Sequence, residues 1–252
     1  MARPAITLPP VTVSECDGVR YLHLGSVWVQ GAMCIRKPQQ VELDYVQRML
    51  ASLLWLPPSQ IGQGHAVQLG LGAAAITRFT LKALRMRTTA VELNPAVIAA
   101  CRRSFHLPLD GAKLQVLNMD ADSWVHDPAN RQSVRLLHVD LYDHEAAAPV
   151  LDDARFYAAC RAVLADGGVM SVNLFGRDAS FQDSLLRIAT AFGAGQVWSL
   201  RPTREGNTVV VAGRGVVVPA REVLAARAAT IEARFGALGL PAGPPLLEPV
   251  SA

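Results

Sequence analysis

The chain lacks the features that mark several broad classes of protein. Its four cysteines, Cys16, Cys34, Cys101 and Cys160, form no C-x-x-C pair and have no histidine at metal-ligand spacing, so no zinc or other metal site is expected. No apolar stretch reaches about 18 residues without a charge, so no transmembrane helix is expected. The net charge is only +3, and no Lys/Arg cluster is interleaved with aromatic residues. A nucleic-acid partner is therefore not expected.

Export signals and disulfide frameworks are also missing. The first ten residues contain no basic start followed by an apolar run, so no signal peptide is expected. We therefore predict a cytoplasmic protein without a membrane partner. What is present, 252 residues that are 51% hydrophobic, is enough for one domain with small appendages and a large core.

Apolar periodicity predicts alternating strands and helices over most of the chain. Strands are predicted at 65–69, 88–92, 113–117, 134–139, 169–174, 196–200 and 208–212. Helices are predicted at 41–56, 73–84, 95–105, 121–125, 153–164, 179–192 and 219–236. Residues 19–30 are β-rich and broken by Gly25-Ser26, which favours a short hairpin, and residues 1–14 are expected to be loose.

This alternation predicts the α/β class, a doubly wound, mostly parallel seven-stranded sheet with helices on both faces. The last two strands follow each other as a hairpin, which suits the methyltransferase (Rossmann-like) type, whose final strand is antiparallel. We predict an N-terminal β-hairpin and helix at 1–60, a Rossmann-like domain at 61–215, and a C-terminal helix with a flexible tail at 216–252.

A glycine-rich turn, Gly70-Leu71-Gly72, follows the first strand of this sheet and precedes a helix. Glycines at such a turn let the backbone approach a ligand closely, and the helix behind it presents free N–H groups. The second strand ends at Glu92, 92 − 70 = 22 residues further on, which is the spacing of a ribose-binding carboxylate. The sequence therefore predicts that Gly70, Gly72 and Glu92 bind a nucleoside.

The third strand is followed by Met119-Asp120-Ala121. An acid at this point can accept a hydrogen bond from an adenine amino group, and it can equally serve as a helix N-cap. A nicotinamide cofactor is not excluded, since Ala75 stands where its fingerprint has a small residue. A sulfonium nucleoside needs no pyrophosphate clamp, and the acids at successive strand ends favour it.

The fourth predicted strand delivers Asp140, with Asp143 three residues later. Ligands of open α/β sheets bind outside the carboxyl ends of the strands. One acid beside a sulfonium can take a proton from an attacking ammonium, and the other can hold a cationic substrate. The alternative is that Asp140 caps the next segment and Asp143 is an ordinary loop acid.

In this arrangement the chain resembles the spermidine synthase (polyamine aminopropyltransferase) family, especially its short bacterial branch, within the S-adenosylmethionine-dependent methyltransferase fold superfamily. The resemblance runs from about Val27 to Gly213. The matching pieces are Val29-Gln30 with Ala32-Met33, Tyr45 and Met49, Gly70-Leu71-Gly72, Val91 to Pro95, Asp120-Ala121, Val139 to Asp143, Phe156-Tyr157, Gly167 to Val169 with Asn173-Leu174, and Gly206 to Val209.

The resemblance implies transfer of an aminopropyl group from decarboxylated S-adenosylmethionine to an amine acceptor such as putrescine, without a metal. It implies that Asp140 accepts the proton. The amine-binding residues implied are Asp143, Tyr45 and Tyr142. The donor-binding residues implied are Gln30, Gly70, Gly72, Glu92, Asp120 and Ala121. A homodimer is also expected, with the N-terminal hairpin and the helix at 219–236 as candidate surfaces, although that helix could equally pack on its own sheet.

Three departures keep other functions open. His144 stands where the family's D-x-x-D-P loop has proline, Val46 and Gln47 replace the family's His and Glu after the tyrosine, and the upstream loop carries Arg36 and Lys37. Cations there would raise the free energy of binding a polyamine. They could instead pair with the carboxylate of intact S-adenosylmethionine, as in a methyltransferase. A non-catalytic nucleoside-binding relative is the remaining alternative.

Overall fold

The computed structural model describes residues 8–141, 151–175, 179–217, 219–240 and 247–249. Among these residues, none of the helices combines the length and the apolarity that crossing a bilayer requires.

Over the described residues, the main sheet has eight strands. In chain order they are β4 (His65–Leu69), β5 (Arg87–Glu92), β6 (Leu114–Asn118), β7 (Val134–Val139), β8 (Leu164–Phe175), β9 (Val197–Leu200), β10 (Asn207–Gly213) and β11 (Leu247–Pro249). The spatial order is β11-β9-β10-β8-β7-β4-β5-β6. Strands β4 to β8 are parallel, and β10 is antiparallel to both of its neighbours. The predicted α/β fold with a mostly parallel sheet and an antiparallel final hairpin is confirmed.

In the described part of the chain, seven α-helices accompany the strands. They are α1 (Asp44–Met49), α2 (Ala75–Arg78), α3 (Pro95–Ser104), α4 (Ala121–His126), α5 (Ala154–Val163), α6 (Ala179–Phe192) and α7 (Arg221–Phe235). Caps foreseen from the sequence are present: the Asn94 side chain accepts a hydrogen bond from the Ala96 amide, with Pro95 at the first helical position.

Two predicted helices are interrupted. The segment predicted as one helix over 41–56 is α1 followed by a 3-10 helix, Leu50–Trp55. The segment predicted as a helix over 73–84 is α2 followed by a π-helix, Phe79–Ala83. In both cases the apolar positions are nevertheless buried in the core. Apolar periodicity predicts which face is buried, and that face can be buried by an α-helix, a 3-10 helix or a π-helix.

The N-terminal hairpin is extended to a three-stranded antiparallel sheet. It comprises β1 (Val11–Cys16), β2 (Val19–Leu24) and β3 (Val29–Cys34). The predicted pair β2–β3 is present, but residues 11–14, expected to be loose, belong to β1. The Asp17-Gly18 turn, with positive φ at both residues, closes this extra hairpin. The proline-rich start of the chain favours a loop, and the Asp17-Gly18 turn overrides it.

The C-terminal part packs on the same chain. Helix α7 buries Leu224, Ala228, Ile231 and Phe235 in the core cluster that includes the Leu50–Trp55 segment and β9. This helix was considered either as a dimer surface or as packing on its own sheet, and the structure shows that it packs on its own sheet. Within the tail expected to be flexible, Leu247–Pro249 pair with β9. Strand pairing uses backbone groups, so the composition of the tail gave no sign of it.

Candidate active site

A cavity of about 580 Å³ opens at the carboxyl ends of the central strands. The strand order reverses between β4 and β7, which is the switch point where doubly wound sheets bind ligands. The residues that follow these two strands, Gly70 and Asp140, both line the cavity. Residues of β2, of β3 and of the loop between them form the opposite wall, where Trp28 is 56% exposed. The N-terminal sheet therefore covers one side of the site.

The two glycines of the turn are sterically required. Gly70 has φ of +83°, and a Cβ atom there would lie 2.0 Å from the backbone oxygen of Asp140. Gly72 has φ of +50°, and its Cβ would lie 3.0 Å from the backbone oxygen of Gln30. A backbone atom occupies the space on each side, so only glycine fits without displacement of β7 or β3.

Glu92 binds the turn from the end of the neighbouring strand. Its Oε2 accepts a hydrogen bond of 2.9 Å from the Leu71 amide, and its Oε1 accepts one of 2.8 Å from the Asn94 amide. Burial raises the pKa of this carboxyl, and hydrogen bonds from backbone amides, those of Asn94 and Leu71 among them, oppose the shift. Each carboxylate oxygen keeps a further lone pair for a donor in the cavity. This geometry fits a group that receives ribose hydroxyls.

Asp120 and Ala121 lie at the end of β6, where α4 begins. The carboxylate of Asp120 accepts hydrogen bonds from the amides of Asp122 and Ser123, both at 3.4 Å, so it is the N-cap of α4. It also lines the cavity, as does the buried Ala121. The two roles considered for Asp120 are therefore compatible.

Asp140 is held by two side chains. Its Oδ1 accepts a hydrogen bond of 2.9 Å from the amide nitrogen of Asn173, and its Oδ2 accepts one of 3.2 Å from the hydroxyl of Tyr45. Burial raises the pKa of Asp140 from 3.8 to about 6, against the lowering effect of these two donors. A carboxylate with this pKa is ionised near neutrality and can accept a proton.

The N-terminal sheet lies directly on the glycine turn. A Cβ at Gly31 in β3 would stand 2.4 Å from the backbone nitrogen of Ala73, so this contact also requires glycine. The neighbouring Gln30 lines the cavity, and its Nε2 is buried without a hydrogen-bond partner. A buried amide that faces a cavity and has no protein partner suits a ligand acceptor or a water molecule.

The charges in the cavity wall are of one sign. Over the described residues, the wall contains four carboxylates and no lysine, arginine or histidine. The four are Glu92, Asp120, Asp140 and Glu205. Arg36 and Lys37, considered above as partners for a cofactor carboxylate, are exposed and do not belong to this wall. The site is therefore suited to a cationic ligand.

The remaining residues singled out in the sequence do not lie in the described cavity wall. Tyr142 and Asp143, and also His144, lie outside the described residues. Val46 packs in the core, and Gln47 donates a hydrogen bond to the carbonyl oxygen of Val41, so neither faces the cavity.

The sequence patterns predict no role for four residues that lie at the site: Gly31, Asn173, Glu205 and Asn207. Gly31 carried a usable signal, since glycine inside a strand often marks a close backbone approach.

A buried arginine supports the turn from behind. Arg78 is 2% exposed, and its Nη1 donates hydrogen bonds to the carbonyl oxygens of Ala73 at 2.6 Å and Phe105 at 2.7 Å. Burial lowers the pKa of this guanidinium to about 10. Cys101 donates a hydrogen bond of 3.0 Å to the Gly72 carbonyl. The backbone of the turn is thus fixed by side chains of α2 and α3.

No group of three His, Cys, Asp or Glu side chains that could hold a metal ion is present in the part of the chain that the structure describes. A search against protein-family models found no match.

Comparison with known proteins gives clear relatives. The chain is 32% identical over 237 residues to the polyamine aminopropyltransferase of Chromobacterium violaceum. The alignment covers 93% of this chain and 88% of the relative. In structure it resembles a probable spermidine synthase from Corynebacterium glutamicum, with a TM-score of 0.74, 16% identity and coverage of 95% and 87% of the two chains. It also resembles human methyltransferase-like protein 13 in complex with SAH, with a TM-score of 0.66, 18% identity and coverage of 80% and 95%.

The doubly wound sheet, the glycine turn and the acidic cavity define a Rossmann-like protein of the methyltransferase fold class, in agreement with both structural neighbours. Within that class the sequence relationship is specific. The chain belongs to the polyamine aminopropyltransferase family, whose members are transferases.

Proposed function

We propose that this protein transfers an aminopropyl group from decarboxylated S-adenosylmethionine to an amine acceptor such as putrescine. Family membership supports the reaction type. The observation that carries the choice of donor is the cavity wall, which over the described residues has four carboxylates and no basic side chain. The decarboxylated donor is purely cationic next to its reacting carbon, with a sulfonium and an ammonium. The intact donor would bring a carboxylate into this acidic wall, whose described residues offer no cation to pair with it.

The donor-binding residues of the proposal are Gln30, Gly70, Gly72, Glu92, Asp120 and Ala121, all of which line the cavity. Glu92 receives the ribose hydroxyls while its other lone pairs hold the turn. Asp120 accepts from the adenine amino group while it caps α4. Tyr45, Tyr142 and Asp143 are proposed to bind the amine.

The chemistry needs one proton acceptor. The acceptor amine arrives as an ammonium and must lose a proton before its nitrogen lone pair can attack carbon. Asp140 takes that proton. The nitrogen then forms a bond to the propyl carbon, the carbon–sulfur bond breaks, and its electron pair stays on sulfur as methylthioadenosine leaves. Because the sulfonium already activates the carbon, the protein mainly contributes alignment of the two reactants.

The experiment is an incubation of the purified protein with each of the two sulfonium donors and putrescine. Methylthioadenosine is expected from the decarboxylated donor only. Asp140→Asn should abolish its formation, and Asp183→Asn, an exposed acid on α6, is the matched control. Tight binding of the intact donor without methylthioadenosine would instead favour a methyltransferase. Calorimetry that detects neither donor would contradict both enzymatic functions.

We also propose that the protein forms a homodimer in the cytoplasm. Strand β1 is one of the two edge strands of the N-terminal sheet, and an edge strand can pair with a second copy of the chain. Light scattering coupled to gel filtration tests the dimer, and a monomeric mass would contradict it.

A further inference from the structure

Two asparagines lead from the β9–β10 turn to the carboxylate of Asp140. The Asn207 amide nitrogen donates a hydrogen bond of 3.0 Å to the amide oxygen of Asn173. The Asn173 amide nitrogen donates one of 2.9 Å to Oδ1 of Asp140. The three residues belong to β10, to β8 and to the end of β7, which are neighbours in the sheet.

The direction of this chain matters because a carboxamide has one accepting and one donating end. The donor from Asn207 favours the orientation in which the oxygen of Asn173 faces Asn207. The NH₂ group of Asn173 must then face Asp140. In the reverse orientation, the Asn173 oxygen would face the ionised carboxylate, and two acceptors would oppose each other.

Asn207 is itself held in place by its backbone. Its amide donates to the hydroxyl of Thr203 at 3.2 Å, and its carbonyl oxygen accepts from the Thr203 amide at 2.7 Å. Thr203 is 1% exposed, so the base of the turn is buried. Asn207 is also paired with Phe175 in the sheet register. These backbone contacts do not need the side chain of Asn207, which leaves that side chain available for Asn173.

We propose that Asn207 is a positioning residue for the proton acceptor: it fixes the amide orientation of Asn173 and thereby keeps a hydrogen-bond donor on Asp140. The inference rests on the proposed function, in which Asp140 accepts the proton of the amine. Asn207 acts through Asn173.

Asp140 has other titratable and polar neighbours besides Asn173. Among the described residues, Tyr45 donates to the other carboxylate oxygen, and Glu92, Asp120 and Glu205 share the cavity wall. His138, two residues earlier, contacts Ser171, and burial lowers its pKa to about 4, so it stays neutral. The side chain of Asn207 donates its hydrogen bond to Asn173, so a change at residue 207 reaches Asp140 mainly through Asn173.

The test compares two variants of similar size. Asn207→Leu removes the donor without adding charge. Asn207→Asp replaces it with an acceptor, which turns the NH₂ of Asn173 away from Asp140. Loss of the Asn173 donor raises the pKa of Asp140, so the acid limb of the kcat/KM profile for aminopropyl transfer should move up by about one pH unit in Asn207→Asp, and by less in Asn207→Leu, where the carboxylate still attracts the NH₂ group. At pH 6 this corresponds to roughly a fivefold loss in Asn207→Asp and a smaller loss in Asn207→Leu, and near pH 9 the loss should disappear in both.

Arg204→Ala, an exposed residue of the same turn, is the control and should leave the limb in place. Melting temperatures show whether each variant is folded, and one folded variant is sufficient. A purely structural role would change kcat without moving the limb. Folded variants with an unchanged limb would overturn the inference.

A second readout separates this inference from the function on which it rests. The carbon-13 shift of the Asp140 carboxyl can be titrated in the purified protein without substrates, with Asp140→Asn to assign the signal. If the wild type has no transferase activity, the proposed function fails. The positioning inference still stands if the Asn207 variants raise this titration midpoint, and it is overturned if they do not.

Discussion

The Cα atom of Gly70 lies so close to the backbone of Asp140 that a Cβ added at Gly70 would stand 2.0 Å from the Asp140 carbonyl oxygen. The glycine turn and the end of the fourth parallel strand are therefore in direct contact. The Asp140 amide also donates to the Leu69 carbonyl at 2.9 Å. The residue proposed to bind the donor and the residue proposed to accept the proton are thus positioned by the same pair of strands.

The first prediction concerns Gly70→Ala. The added methyl group meets the Asp140 backbone, and the φ of +83° is also unfavourable for alanine, so we expect a loss of about 2–4 kcal/mol in unfolding free energy. Donor binding should be lost as well, because β7 must move. Chemical denaturation and calorimetry with methylthioadenosine measure the two effects.

Gly18→Ala is the matched control for Gly70→Ala. Gly18 has a similar φ of +77°, but no heavy atom lies within 4 Å of its added Cβ. It should lose only about 1 kcal/mol, which is the backbone part alone, and it should keep donor binding. Equal losses in the two variants would show that the contact with Asp140 is unimportant.

The second prediction concerns Glu92→Gln. The amide can accept from only one of the Leu71 and Asn94 amides, and its NH₂ group opposes the other. It also presents fewer acceptors to a ribose. Methylthioadenosine should bind about 10- to 100-fold more weakly, which corresponds to roughly 1.4–2.7 kcal/mol. Calorimetry measures this, with Glu222→Gln on the exposed start of α7 as the control. Unchanged affinity would remove Glu92 from the donor site.

The fold and the part of the candidate site around Gly70 could be predicted because their signals are local. The strand before Gly70, the spacing to Glu92 and the cap at Asn94 all follow from neighbouring residues. The contact of Gly31 with the turn and the link from Asn207 to Asp140 join residues that are far apart in sequence. Such contacts depend on strand order, which periodicity predicts only in outline.

The charge of the cavity could not be predicted from sequence proximity either. Arg36 and Lys37 stand close to the site in sequence, and their presence suggested cations near the substrate. In the structure both are exposed and lie outside the cavity wall, while Glu205 joins the wall from the opposite end of the chain. Side-chain placement at loops depends on how separate elements meet.

The third prediction concerns Arg78→Met, a substitution of similar length. It leaves the carbonyl oxygens of Ala73 and Phe105 buried without the guanidinium that now donates to both. We expect a loss of about 2–4 kcal/mol in unfolding free energy and weaker donor binding, because Ala73 follows the glycine turn. Arg103→Met, on the exposed face of α3, should change stability by less than about 0.5 kcal/mol. Denaturation curves compare the two, and similar stabilities would contradict a supporting role for Arg78.

The last prediction is that Asp140→Asn stabilises the protein at pH 8 while it abolishes transfer. The folded protein holds the pKa of Asp140 at about 6, above its ordinary value of 3.8, because burial disfavours the charged form. Between these two pH values the unfolded chain loses the proton first, so the wild type loses stability as pH rises from about 4 to about 6, and the loss persists above pH 6. The asparagine has no charge to desolvate, and its amide can still meet Asn173 and Tyr45.

The gain at pH 8 should be about 1–2 kcal/mol, less than the full pKa shift would give, because Asp140 lines a cavity that is open to water; it should vanish near pH 4. Melting temperatures at the two pH values, with Asp183→Asn as the exposed control, measure it. A variant that is less stable than the wild type at pH 8 would show that the hydrogen bonds of the carboxylate outweigh its desolvation. In that case Asp140 would hold the site together as well as accept the proton, and its loss of activity could no longer be read as loss of a base alone.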